Sequence, residues 1–164
     1  MIKIILLVFA LSFLQNKTDV IEPENINSSD VDLIRISQQS MQVYHAINKY
    51  APKHSIPYSV IYNVVKLETG WNGPLDLSYT YLQTSHTGAV GAMQFVMPTI
   101  KWLTDNDKLT KEYVKSNIDF NIKWGIYYLD MLYIRYDNMY LALTYYNTGY
   151  PKPINSYAKY AMEQ

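Results

Sequence analysis

Along most of the chain apolar residues recur at helical spacing, and no alternating run of useful length appears. This pattern predicts helices and no sheet. The first fourteen residues are an apolar run broken only by Lys3 and Ser12, and 16–30 is polar with Pro23. Asp30 is the expected cap of a helix reaching about Tyr50, with Ile34, Met41, Tyr44 and Ile47 on one face and Ala51-Pro52 ending it. Pro57 suits the first turn of the next helix. Val60, Ile61, Val64, Val65 and Leu67 form its expected buried stripe, and Gly70 stops it.

Asn72-Gly73-Pro74 marks a turn, and a loop rich in Tyr, Thr and Ser runs to Gly88. Pro98 opens a short helix containing Ile100, Trp102 and Leu103. Asp119 is the expected cap of a long helix carrying Ile122, Ile126, Leu129, Tyr133 and Tyr136 at helical spacing. After Asp137-Asn138 a helix over 141–146 is expected, and Pro153 is placed to start a last one through Tyr157 and Tyr160. No internal repeat is present, so the expected fold class is mainly α. The expected organisation is 1–15 as signal peptide or apolar anchor, 16–30 as linker and 31–164 as one catalytic domain.

Composition narrows the function. A chain of 164 residues supports one domain with a real core, and 49% hydrophobic residues exclude disorder. Lys+Arg and Asp+Glu balance at 14 each, so no basic surface for nucleic acid is implied. With no cysteine there is no disulfide, zinc thiolate or cysteine nucleophile. Seventeen tyrosines fit either sugar stacking or core filling with biased composition. The Lys3-led run resembles a signal peptide. An uncleaved anchor and an apolar helix packed on a partner are the alternatives.

Glu68 is the most informative residue. Helical spacing places it on the apolar side with Ile61, Val64 and Val65, in the last turn before Gly70. Desolvation and the exposed carbonyls of a helix C-terminus both raise a carboxyl pKa, as a general acid near neutrality requires. The same spacing also fits a rim glutamate whose head group is solvated. Gly88-Ala-Val-Gly91-Ala-Met-Gln94 is a glycine-bearing loop that lets a backbone approach a ligand, and it lacks the phosphate-loop pattern. His45, His54 and His86 have no metal-ligand spacing, so neither metal nor cofactor is expected. Trp71, Trp102 and Trp124 read as core.

Taken in order, these segments resemble one family. Leu67-Glu68-Thr69-Gly70-Trp71 is followed by Ser85-His-Thr-Gly88-Ala-Val-Gly91-Ala-Met-Gln94-Phe-Val-Met97-Pro98. Downstream stand Asn121-Ile-Lys-Trp-Gly125-Ile-Tyr-Tyr128-Leu129 and Ala142-Leu-Thr-Tyr-Tyr146-Asn147-Thr-Gly149. Together they resemble the lytic transglycosylase SLT domain, a goose-type lysozyme-like family with a Glu-Ser motif, S-x-x-G-A-x-G-L-M-Q, N-I-x-x-G-x-x-Y-L and A-L-A-A-Y-N-A-G. The resemblance covers about 50–160.

It implies a single lysozyme-like α domain with a glycan-binding cleft, acting on peptidoglycan between N-acetylmuramic acid and N-acetylglucosamine. Glu68 would protonate the glycosidic oxygen and then take the proton of the muramoyl C6 hydroxyl as that oxygen attacks C1. The product is a 1,6-anhydromuramoyl end, with no water consumed. Thr69, Ser85, Gly88, Met93 and Gln94 match substrate-binding positions, and Tyr146 and Asn147 match the pair that closes the site.

The implied partner is a peptidoglycan glycan strand, met outside the cytoplasm or from a virion. A monomer is expected, and assembly with a secretion system or virion stays open. Thr69 replaces Ser, Ala92 replaces Leu, 71–85 is long, and Thr148 with 150–153 replaces A-G-P-G. A hydrolytic muramidase with Asp76 as base, and a weakly catalytic glycan-binding protein, are the competing readings.

Overall fold

A computed structural model describes residues 28–151 and 153–163. The chain divides into two units, 1–35 and 36–164. The apolar run of 1–14 lies outside the described residues, as does the linker up to 27. Helix α1 spans Ser28–Tyr50 and already includes Asp30, so Asp30 is not its cap and helix begins within the stretch expected as linker. A 3-10 turn, Ala51–Lys53, follows.

Then come α2 Tyr58–Thr69, α3 Met97–Thr104, α4 Lys111–Ser116, α5 Ile118–Tyr136, α6 Met139–Thr148 and α7 Ser156–Met162. The fold is mainly helical. Isolated bridges from Val90 to Thr84 and to Phe95 are the only β pairings among the described residues. The chain order also sets much of the packing: α5 lies against α4 and α6, while α7 packs on both α6 and α2.

Side-chain amides and one hydroxyl cap the starts of α4, α5, α6 and α7. Asn117 accepts from the Phe120 N–H to cap α5, which corrects the expectation that Asp119 does so; Asp119 lies in the first turn. Asn138 caps α6 through the Leu141 N–H, and Asn155 caps α7 through the Ala158 N–H, so Pro153 lies ahead of the last helix instead of opening it. Thr110 caps α4, a helix too short for its apolar period to be read from sequence.

The core joins Val43, Ala46, Ile47 and Tyr50 of α1 to Val60, Ile61, Val64 and Val65 of α2, Ile122, Ile126, Leu129 and Leu132 of α5, and Ala142 and Leu143 of α6. Burying each such aliphatic side chain stabilises the fold by about 1.5–3 kcal/mol. Three expectations fail here. Leu67 is 40% exposed, because the buried face of α2 turns through Asn63. Met41 and Tyr44 are only half-buried, since the inner face of α1 passes through 43, 46, 47 and 50. Trp71 is fully buried and Trp124 half-buried, but Trp102 is 66% exposed.

Candidate active site

Glu68 ends α2 one turn past the buried Val64 and Val65. Gly70 terminates the helix at φ 74° and donates its N–H to the Lys66 carbonyl, a left-handed cap that glycine adopts without strain. The Thr69 hydroxyl is spent within this cap: it donates to the Val65 carbonyl at 2.8 Å and accepts from the Trp71 N–H at 3.3 Å. The Thr69 carbonyl in turn accepts from Gln83 Nε2.

The Glu68 carboxyl is held by a residue that carried no signal in the sequence. Tyr157, on α7, donates its hydroxyl to Glu68 Oε1 at 2.6 Å. Burial pushes the Glu68 carboxyl up from 4.5 to about 7, while the Tyr157 hydrogen bond pulls the other way. Burial and the adjacent carboxyl hold the Tyr157 hydroxyl well above its ordinary range, so it stays protonated and keeps its proton for donation to Glu68. A helical position among seventeen tyrosines does not distinguish it. The nearby signal is the pair Ala158 and Ala161, fully buried small residues on a helix that packs against both α2 and α6.

Tyr146 faces the same region from α6. Its hydroxyl donates to the Met93 carbonyl at 2.7 Å instead of to Glu68. Burial raises its pKa well above 10, with the Glu68 charge the next cause. Its ring packs on Tyr128 at 5.5 Å. Asn147 is exposed and accepts from Asn155 Nδ2, so it braces the start of α7. Thr148 and Gly149 close the turn behind it: the Thr148 hydroxyl bonds the Thr144 and Tyr150 carbonyls, and Gly149 takes φ 78°.

The 88–97 loop is fixed from α5. Asn121 is fully buried; its Oδ1 accepts from the Met93 N–H at 2.7 Å, and its Nδ2 donates to the Val90 and Val114 carbonyls. A Cβ at Gly91 would strike the Asn121 amide, and one at Gly125 would strike the Met93 side chain. Both glycines therefore serve close approach. Met93 is wholly buried, so it meets the site through its backbone and not its side chain.

Gln94 sits at φ 48°, an uncommon conformation for a side-chain-bearing residue, and its Nε2 donates to the Gly91 carbonyl. Ser85 organises the preceding turn: its N–H and hydroxyl both bond to Ala89, and its carbonyl accepts from the Gly88 N–H. None of Ser85, Gly88, Gln94 and Asn147 bonds the Glu68 carboxyl among the described residues.

A family model described as "Transglycosylase SLT domain" matches residues 45–164. The chain belongs to that family. A search of curated proteins finds no match. The SLT assignment spans every element from the end of α1 to α7 and supports a lytic transglycosylase type of action on peptidoglycan. Among the described residues of this SLT domain, no group of three or more His, Asp or Glu is placed to hold a metal ion.

Asp76, the nearest downstream carboxylate, lies in the long loop after α2. It accepts from the Asn72 and Ser78 N–H groups and the Ser78 hydroxyl at 2.6–2.8 Å. Burial pushes its carboxyl up, but these bonds outweigh burial and hold it below the ordinary range.

Proposed function

We propose that this protein is a lytic transglycosylase that cleaves the MurNAc-GlcNAc bond of peptidoglycan with Glu68 as its single acid and base. The observation that carries this reading is the buried Glu68 carboxyl, raised to about 7 and bonded by the hydroxyl that Tyr157 donates. A carboxyl so poised is protonated in a useful fraction of molecules near neutral pH.

Tyr157 occupies Oε1, so the acid proton belongs on Oε2, which is then the atom that meets the glycosidic oxygen. Transfer of that proton lets the C1–O bond break and leaves a carboxylate that Tyr157 still solvates. The muramoyl C6 hydroxyl then bonds to C1 and returns its proton to Oε2. Glu68 is regenerated, and the product carries a 1,6-anhydro ring with no water taken up.

Asp76 is a poor candidate for a water-activating base, because its oxygens are engaged by its own turn and its pKa is lowered. This favours the anhydro product over hydrolysis, for which a second carboxylate would be expected.

Mass analysis of muropeptides released from purified sacculi tests the reading. Anhydro ends from the wild type and release slowed about 10²–10⁴-fold by Glu68→Gln are expected. Reducing ends as the main product would move the protein to the hydrolytic muramidases. We place its action outside the cytoplasm, where the polymer lies, and the Lys3-led apolar run is the segment that would direct export. N-terminal sequencing of exported protein checks this, and an intact N-terminus on soluble cytoplasmic protein counts against it.

A further inference from the structure

A groove of about 490 Å³ opens between the C-terminal half of α1 and the junction of α4 with α5. Its size is that of a small-ligand site. Its lining includes Gln42, His45, Lys49, Tyr113, Asn117 and Asp119, and none of the residues that hold Glu68. We propose that this groove is a second binding site, for an uncharged stretch of amino-sugar strand, which anchors the enzyme on its polymer apart from the catalytic carboxyl. The identity of the strand rests on the peptidoglycan reading above.

Two features of the lining and one beside it select such a ligand. The first is charge. Lys49 and Asp119 pair at 2.9 Å, and the Tyr50 hydroxyl also holds Asp119 at 2.7 Å. The pair presents little net charge to attract an anion or a cation. The second is hydrogen bonding. The Gln42 amide and the Asn117 Nδ2 have no partner among the described residues, while Asn117 Oδ1 is taken by the Phe120 N–H. Planar amides of this kind match the hydroxyl and acetamido groups of an amino sugar, which both donate and accept.

The third feature is an aromatic series that leads away from the groove. Tyr113 contacts Phe120 at 5.2 Å between centroids, Phe120 contacts Trp124 at 6.2 Å, and Trp124 contacts Tyr127 at 5.4 Å. Tyr113 and Tyr127, its two ends, are 46% and 45% exposed. Aromatic rings offer apolar area beside a polar tip, which suits the alternating C–H and hydroxyl surfaces of a sugar chain. A series longer than the groove suits a polymer better than a monosaccharide.

The test uses the full chain and two substrates. Gln42→Ala with Tyr113→Ala removes one amide and one ring while keeping Asn117, which caps α5. In a Glu68→Gln background, sedimentation with purified sacculi measures binding without cleavage. The double variant is expected to bind about tenfold more weakly, the loss of one stacking contact with one hydrogen bond. With Glu68 intact, it should degrade sacculi about tenfold more slowly yet cleave a short soluble glycan fragment at the wild-type rate. Unchanged binding to sacculi overturns the proposal. So does an equal loss on the short fragment, which would mean the residues serve the fold or the catalytic site. If the wild type cleaves neither substrate, the transglycosylase reading fails, while the sedimentation result still decides the groove.

Discussion

The loop of 88–97 and the loop of 71–87 lie next to each other in the sequence and are held in opposite ways. The first is fixed from a distance. Asn121 on α5 makes three buried hydrogen bonds, two to the loop and one to α4, and Gly91 and Gly125 admit contacts that any side chain would block. The second is tied at a few points. Trp71 Nε1 donates to Ser40, the Gly73 carbonyl accepts from Ser40, and Gln83 reaches the Thr69 carbonyl. Between these ties Asp76 bonds only its own turn, and Leu75, Leu77 and Leu82 are 50–63% exposed. Buried long-range polar bonds determine residue identity, because each lost partner leaves another group unpaired. Local bonds at the surface are replaceable by water. The first loop holds the backbone met by Tyr146; in the second only the stretch around Asp76 is free to vary, since Trp71 and Gly73 are bonded to Ser40 and Tyr79 is buried.

The sharpest break of this contrast starts at Glu68. Glu68→Gln should lower the cleavage rate about 10²–10⁴-fold on sacculi. It should not weaken the fold. The folded pKa of Glu68 is raised to about 7 from 4.5, so its stabilising effect is full below about pH 4.5 and is lost as pH rises to 7. Thermal melts should therefore show wild-type stability falling between those values, with the fall absent in Glu68→Gln. At pH 8 the variant should melt above the wild type, by a difference on the order of 1–3 kcal/mol. A variant that melts lower at pH 8 would show that the carboxylate is paired and not merely buried.

Asn121→Leu probes the first loop. It keeps similar volume and strands the Met93 N–H and the Val90 and Val114 carbonyls, at about 1–3 kcal/mol each for those left dry. Denaturant unfolding should show a loss of about 3 kcal/mol or more. A loss below about 1 kcal/mol would mean water replaces the amide and the loop is not pinned as described.

Tyr157→Phe keeps the ring and removes the donor to Glu68. Turnover should drop about tenfold or more, and the pH profile should move upward, because the lost bond was lowering the Glu68 pKa. A profile that moves downward contradicts the assignment. Tyr146→Phe strands the Met93 carbonyl and should cost about 1–2 kcal/mol, with a smaller loss of turnover. Tyr145→Phe, whose ring packs on Tyr136 at 5.6 Å, is the control. Equal behaviour of the two would place Tyr146 in the core alone.

The smallest effect belongs to the second loop. Leu75→Ser, at 63% exposure, should change stability by no more than about 0.5 kcal/mol in the same unfolding assay. A larger loss would show that the loop is held more firmly than its local bonds indicate.

The sequence by itself determined the helical class, most helix boundaries within a few residues, and Glu68 at the end of α2, because these follow from period, glycine caps and a motif order that is local in the chain. It also marked Asn121, Gly125 and Tyr146 as parts of matched segments, but it assigned no bond to them. Tertiary structure decided the rest. Leu67 and Trp102 face outward because neighbours, not hydrophobicity, choose which side of a helix is covered. Asn117 took the cap from Asp119 because the helix starts where α4 ends. Tyr157 meets Glu68 across 89 positions of chain, and Asn121 meets Met93 across 28. Such pairs form where packing brings distant segments together, and packing of that range leaves no trace in a local pattern.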